Sequence, residues 1–240
     1  ELMKQIIFKK EINSTNTYLK ENYNSLNNET IIYTNHQTNG RGRTTHNWYD
    51  EDGKNLLMSI LYKDKTLNEF LDKITLVVAV GVYNVLTKYL DNVTIKWPND
   101  IYVSGKKICG ILCEGITSNN DVALVIGIGL NVNGTLYPDD IKENTTSLKL
   151  VTNKTYSRKR LLKKIYKELT KEINKLKQKD YSFLNIIQDN FYLKDKTINY
   201  IKQDITYTGK VLGINSEGKL IVLVDNQEVI LNSGEVVIKK

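Results

Sequence analysis

The sequence predicts an α+β fold, a mixed β-sheet packed by helices, with a small β-barrel at the C-terminal end. Three observations carry this expectation. From Leu67 to Leu90 apolar residues recur at helical spacing (Phe70, Leu71, Ile74, Val77, Val78, Val82, Val85, Leu86), as in a long, well-buried helix. Closely spaced strand candidates follow at Val93–Lys96, Asp100–Val103, Lys107–Gly115 and Val122–Leu130, with Ser104-Gly105 as a tight turn, so much of the sheet is built from hairpins. Beyond Leu193 the pattern changes to short strands: 197–202, 205–214, 219–224, 227–231 and 235–239, with turns at 215–218 and 225–226. At 240 residues the chain can hold one large domain or a domain with an appendage, and the change of pattern places the boundary between 1–192 and 193–240.

The remaining elements frame the polar segments. Gln5–Lys9 reads as a strand, after which Ser14 or Thr15 stands as N-cap of a helix carrying Tyr18, Leu19 and Tyr23. Thr30–Thr34 and Asn55–Tyr62 read as strands. Between them His36–Gly53 is a long polar stretch with three glycines, a length uncommon in a compact domain unless the loop has a function. Helices are expected over Ser157–Lys177 and Phe183–Tyr192.

Composition narrows the class. A hydrophobic share of 40% with 25% charged residues supports a sizeable core and argues against disorder. No stretch approaches the roughly 18 apolar residues of a membrane span, and no signal-peptide pattern opens the chain, so a cytoplasmic location with no membrane partner is expected. Glu1 and Leu2, ahead of Met3, are expected to be foreign to the natural chain. Cys109 and Cys113, spaced i, i+4 in an apolar run, read as small core residues rather than a disulfide framework or a zinc cluster. The net charge of +7 raises nucleic acid as a partner. Its lysines are scattered, however, and many sit in one helical stretch with interleaved acids, the pattern of a solvated face.

Three constellations carry chemistry. Gly40-Arg41-Gly42-Arg43 sets two planar forks between glycines, suited to phosphate or carboxylate, although a flexible basic turn explains the tetrapeptide equally well. Trp48, further along the loop, offers a flat surface to cover a ligand or simply to pack. In Lys96-Trp97-Pro98-Asn99-Asp100 the proline holds its predecessor extended and fixes Asn99 and Asp100 at a strand start. Lys107, seven residues on, either faces the same cavity as that carboxylate or is an edge-strand lysine. Gly127-Ile128-Gly129-Leu130-Asn131 ends an apolar strand. Its small residues let a planar ligand lie against backbone, and Asn131 can satisfy an amide-like edge such as a purine. A lone Gly-x-Gly is weak evidence for nucleotide, and no Walker loop or Rossmann fingerprint is present.

Taken in order, Ser14-Thr15-Asn16, Gln37, Gly40–Arg43, Lys96–Asp100, Lys106–Leu112 and Gly127–Asn131 resemble the biotin-protein ligase family, strongly over residues 5–150. Gly209-Lys210-Val211 and Ser233–Val236 fit that family's C-terminal domain more loosely. The resemblance implies a class II synthetase-like core with an SH3-like C-terminal barrel. It also implies two half-reactions: biotin and MgATP form biotinyl-5′-AMP, and the biotinyl group passes to a lysine of a biotin carboxyl carrier domain of a carboxylase. It assigns biotin or adenylate binding to Ser14, Thr15, Asn16, Gln37, Arg41, Gly42 and Arg43, and extends the binding set to Gly40, Trp48, Lys107, Gly110, Gly127 and Asn131. Catalytic roles fall to Lys107 and Arg43 at the phosphoryl group and to Asp100 near the incoming amine, with Mg²⁺ arriving on ATP rather than in a fixed side-chain cluster.

Family members usually continue the loop as Gly-Arg-Gly-Arg-x-Gly-Arg-x-Trp, whereas this chain has Thr45 and His46 where that pattern has glycine and arginine. The departure predicts a looser hold on the adenylate, with slower release expected in a T45G/H46R variant. A lipoate-protein ligase shares the fold and the adenylate chemistry, but its Arg-Arg and Gly-rich motif is not seen. A non-catalytic biotin-binding protein is disfavoured by the presence of Lys107, Arg43 and Asp100. A biotin-responsive repressor needs an N-terminal winged helix, for which no room is expected ahead of the first strand, so no specific DNA partner is expected. Both a monomer and a homodimer fit the sequence.

Overall fold

A computed structural model describes residues 5–43, 47–118 and 121–238. Strand β1 (Ile6–Ile12) leads into helix α1 (Thr15–Asn22), whose N-cap is Ser14: its Oγ accepts from Thr17 N at 3.4 Å. Strands β2 (Ile31–Gln37) and β3 (Leu56–Tyr62) follow, then a 3₁₀ turn (Lys65–Phe70) and helix α2 (Ile74–Leu86). Four strands come next: β4 (Val93–Lys96), β5 (Asp100–Val103), β6 (Lys106–Ser118) and β7 (Asp121–Leu130). Helices α3 (Leu148–Thr152), α4 (Arg158–Lys177) and α5 (Phe183–Asp189) precede the C-terminal strands β8 (Thr197–Lys202), β9 (Ile205–Ile214), β10 (Leu220–Val224), β11 (Gln227–Leu231) and β12 (Val236–Ile238).

The seven-stranded sheet runs β1-β2-β3-β7-β6-β5-β4, parallel between β1 and β2 and antiparallel elsewhere. All seven residues of β3 are buried, because both faces of the sheet are covered. Leu19 of α1 packs with Ile32, Leu61, Ala123 and Val125 on one face, and α2 and α4 cover the other. Helix α2 lies between sheet and α4 and is apolar nearly all round, as a helix with no solvent side must be. The second sheet runs β11-β10-β9-β8-β12, antiparallel throughout; among the described residues no pairing joins β11 to β12. Its inward residues Val211, Leu220, Val222 and Leu231 belong to the same apolar cluster as the main core. Trp97 Nε1 donates to Gly218 O at 3.0 Å across the junction.

Several expected elements change in outline, among them β1, which runs on to Ile12, and β6, which runs on to Ser118. The helix expected over 67–90 divides at residues 71–73. Asp64 caps a 3₁₀ turn by accepting from Thr66 N, Leu71 is left exposed, and α2 starts only at Ile74. The helix from Phe183 stops at Asp189 because the chain then pairs with the sheet edge: Ile95 N donates to Asn190 O and Tyr192 N to Ile95 O. Strand β2 runs on to Gln37, held by its pairing with Ile12, so Gln37 ends a strand rather than beginning the loop. The short α3, capped by Ser147, has no expected counterpart. Among the described residues no helix is long and apolar enough to cross a membrane.

Candidate active site

Pairing across the sheet decides which side chains share its α1 face, because directly opposed residues point the same way. One row holds Leu57, Gly129, Gly110 and Asp100 on β3, β7, β6 and β5; the next holds Ser59, Gly127 and Leu112; the next Leu61, Val125 and Glu114. On strand alternation alone Lys107, three residues before Gly110, would face away. The pairing instead skips Ile108, so Lys107 stands opposite Tyr102 and returns to the Asp100 side. The bulge buries Ile108 and brings Lys107 Nζ to 2.8 Å from Asp100 Oδ1, an ion-pair distance without well-formed hydrogen-bond alignment.

Above this floor lies a cavity of about 590 Å³. Two of the glycines beneath it support side chains that no larger residue would admit. A Cβ at Gly127 would fall 2.3 Å from Asn16 Oδ1, and one at Gly129 2.6 Å from the Trp48 ring. The Gly-x-Gly face expected to carry a planar ligand is therefore covered by Trp48, whose ring also lies 5.5 Å from Lys107 Nζ.

One end of the cavity is a network of mostly neutral hydrogen-bonding groups. Gln37 Oε1 accepts from Thr15 N (2.9 Å) and Thr15 Oγ1 (3.1 Å). Ser59 Oγ lies 2.7 Å from Thr15 Oγ1 and 2.6 Å from Asn16 Oδ1, and Asn16 Nδ2 donates to Leu112 O at 3.1 Å. The other end is charged, with Lys107, Asp100, Lys96 and Arg43. Burial lowers the Arg43 pKa, opposed by the charge of Asp100, and its guanidinium donates to Ser233 O of the C-terminal sheet. Lys96 Nζ donates to Tyr102 Oη at 3.1 Å. The two loop arginines thus part company: Arg43 turns to the charged end, whereas Arg41 lies 3.1 Å from Glu114 Oε2 at the neutral end.

Every expected site residue lines this cavity except Gly40, which packs under Trp48: Trp48 N donates to Gly40 O at 2.9 Å, and a Cβ at Gly40 would meet Trp48 O at 2.9 Å. Asn131 lines the wall with Nδ2 bound to Thr146 O, and among the described residues its Oδ1 is buried without a partner. The departure at Thr45 and His46 lies outside the described residues. Sequence reasoning missed Tyr102 and the wall formed by Val236–Ile238, which no local pattern links to residues so distant in the chain. It also missed Glu114, although a carboxylate two and four residues past Leu112 and Gly110 on one strand was the available signal. Cys109 is buried and Cys113 partly so, both are free, and burial pushes the Cys113 thiol up to about 12.

The loop is pinned just beyond Trp48. Asp50 accepts from Gln37 N (3.1 Å) and lies 2.7 Å from His36 Nδ1, while Glu51 Oε2 accepts from Thr135 N and Leu136 N. The hydrogen bond to Asp50 raises the His36 pKa above its ordinary 6.5, against the smaller opposing effect of burial. A raised folded pKa contributes stability that is complete below the unfolded value and lost as pH rises through the folded one. Thermal melting from pH 5.5 to 9 should therefore show a decline beginning near 6.5 in the wild type that is absent in H36Q. Parallel profiles would contradict it. The ring is more than a third exposed, so the effect is small.

Comparison with known proteins fits this geometry. Residues 8–131 match the biotin/lipoate A/B protein ligase family, and residues 196–239 match the biotin protein ligase C-terminal domain. The bifunctional ligase/repressor BirA of Bacillus spizizenii is 30% identical over 240 residues, covering 95% of this chain and 72% of that protein. The biotin-[acetyl-CoA-carboxylase] ligase of Mycobacterium tuberculosis is 23% identical, covering 86% of this chain and 78% of that one. Among solved structures, the biotin protein ligase of Aquifex aeolicus in complex with biotin and ATP superposes with a TM-score of 0.88 at 30% identity, covering 99% of this chain and all of that one. With its site built on that fold and both family matches in place, the chain belongs to the biotin/lipoate A/B protein ligase family and carries the biotin protein ligase C-terminal domain.

Proposed function

We propose that this chain joins biotin to AMP at the expense of ATP and passes the biotinyl group to a lysine of a biotin carboxyl carrier domain. The carrying observation is one cavity with two chemistries. The Thr15, Asn16, Gln37 and Ser59 network suits an uncharged ureido ring, and the Lys107, Arg43 and Lys96 end suits a carboxylate and phosphates.

In the first half-reaction a biotin carboxylate oxygen attacks the α-phosphorus, the bond to the bridging oxygen of the β-phosphate breaks, and pyrophosphate leaves. Lys107 neutralises first the carboxylate and then a phosphoryl oxygen, and Arg43 supplies a second fixed charge. Asp100 is the one carboxylate among the described lining residues, and its Oδ1 is buried without an aligned hydrogen bond. That fits a Mg²⁺ carried mainly by the triphosphate, with at most this one carboxylate ligand, which would supply charge neutralisation there. Among the described residues no group of three acidic, histidine or cysteine side chains offers a preformed metal cage. In the second half-reaction the acceptor amine attacks the acyl carbon, the bond to AMP breaks, and Asp100 takes the amine proton.

The test is exchange of labelled pyrophosphate into ATP. Exchange that depends on biotin and is not supported by lipoate is expected; lipoate-dependent exchange without a biotin response would contradict the proposal and favour the lipoate reading.

A further inference from the structure

Behind the neutral end of the cavity lies a carboxylate that neither half-reaction uses. Glu114 does not line the cavity, yet it lies on the same strand face, two residues beyond Leu112, in the row opposite Val125. It gathers three donors, two from α1 and one from the loop. Asn16 Nδ2, at the start of α1, donates to Oε2 at 2.8 Å. Lys20 Nζ, one turn further along α1, donates to Oε1 at 2.8 Å. Arg41 Nη2, from the loop, lies 3.2 and 3.1 Å from the two oxygens. Burial would push this carboxyl up, but the bonds from Lys20 and Asn16 and the charges of Lys20 and Arg41 outweigh it and hold it below its ordinary value.

Asn16 and Arg41 both line the cavity but come from segments with no covalent reason to stay in register. Asn16 sits on a capped helix packed to the sheet. Arg41 sits in the loop, where its backbone bridges to Asn47. Glu114 touches both, and it is anchored in the 13-residue strand β6. Among the described residues it engages Arg41 only through Nη2, and Arg41 Nε is buried with no partner. The guanidinium is therefore held by one nitrogen with a second donor left over, the arrangement expected of a side chain oriented for a ligand rather than used up in an ion pair.

We propose that Glu114 is a positioning residue: it draws Arg41 onto the sheet beside Asn16 and so fixes the end of the cavity that receives biotin's ring system. The inference rests on reading this cavity as the biotin site. Pre-arranging Arg41 spares biotin the cost of ordering the loop, so loss of Glu114 weakens biotin binding and leaves the phosphoryl chemistry at the Lys107 end, whose Gly110 row is roughly 13 Å away along the strand, largely as it was.

The test is a double-mutant cycle on E114Q and R41Q, with biotin KM and kcat from pyrophosphate exchange and melting temperature measured for each. E114Q should raise the biotin KM about fivefold with kcat within about twofold. The double variant should bind biotin no worse than R41Q alone, since Glu114 acts through that arginine. E114D, which keeps the charge, should recover part of the loss, and it serves as the reporter should E114Q not fold. Multiplying KM effects in the double variant, or a lowered melting temperature with KM unchanged, would make Glu114 a purely structural ion-pair partner and overturn the proposal. If the wild type itself shows no biotin-dependent exchange, the biotin reading fails rather than the role of Glu114 within it.

Discussion

Replacing Lys107 with alanine is expected to slow formation of the adenylate by about 10² to 10³, the usual cost of removing one preorganised charge from a developing oxyanion. The magnitude follows from placement. The bulge at Ile108 turns Lys107 onto the cavity face, 2.8 Å from Asp100 and over the Trp48 ring, so its ammonium is fixed before substrate arrives. Its side chain is 29% exposed, enough to meet an incoming carboxylate yet screened less than a surface lysine. Single-turnover release of pyrophosphate should fall while biotin affinity, set mainly at the other end of the cavity, changes far less. A rate within about threefold of wild type would remove Lys107 from the phosphoryl site.

Gly127→Ala is expected to be the most damaging single-methyl change in the site. Its Cβ would lie 2.3 Å from Asn16 Oδ1 and 3.0 Å from Nδ2, and Asn16 cannot step aside: Ser59, Leu112 O and Glu114 hold it from three directions. Overpacking against so constrained a neighbour costs about 1 to 3 kcal/mol. Taken as displacement of Asn16, that corresponds to a roughly 5- to 150-fold loss of biotin affinity. Isothermal titration with biotin checks it, with far-ultraviolet circular dichroism to confirm folding. Unchanged affinity would mean that Asn16 takes no part in the binding end.

Much of this was legible in the sequence because it is local. The Ser14 cap, the alternating strands from Val93 to Leu130 and the turn at Ser104-Gly105 are decided by neighbours a few residues apart, and they appear where short-range rules put them. The site residues assigned on the ordered motifs likewise line a single cavity, all but Gly40. What escaped was non-local. A one-residue bulge that reverses the direction of Lys107 leaves no mark in composition or period. The division of the long helix at 71–73 was hidden by Leu71, which continues the apolar spacing but is exposed. The two arginines, two residues apart, read as one basic element, yet their partners, Glu114 and Ser233, stand 73 and 190 residues away and draw them to opposite ends of the cavity.

That separation leaves a cavity with Arg41 beside Glu114 at the end proposed for the ring system of biotin, Lys107 beside Asp100 at the end proposed for the phosphoryl chemistry, and a C-terminal strand in the wall. The most direct test is incubation of the chain with biotin, MgATP and a biotin carboxyl carrier domain, followed by mass spectrometry of the carrier. A single biotinyl amide on one lysine is expected, dependent on ATP and lost when that lysine is replaced. A folded chain that binds biotin and consumes ATP yet leaves the carrier unmodified would contradict it.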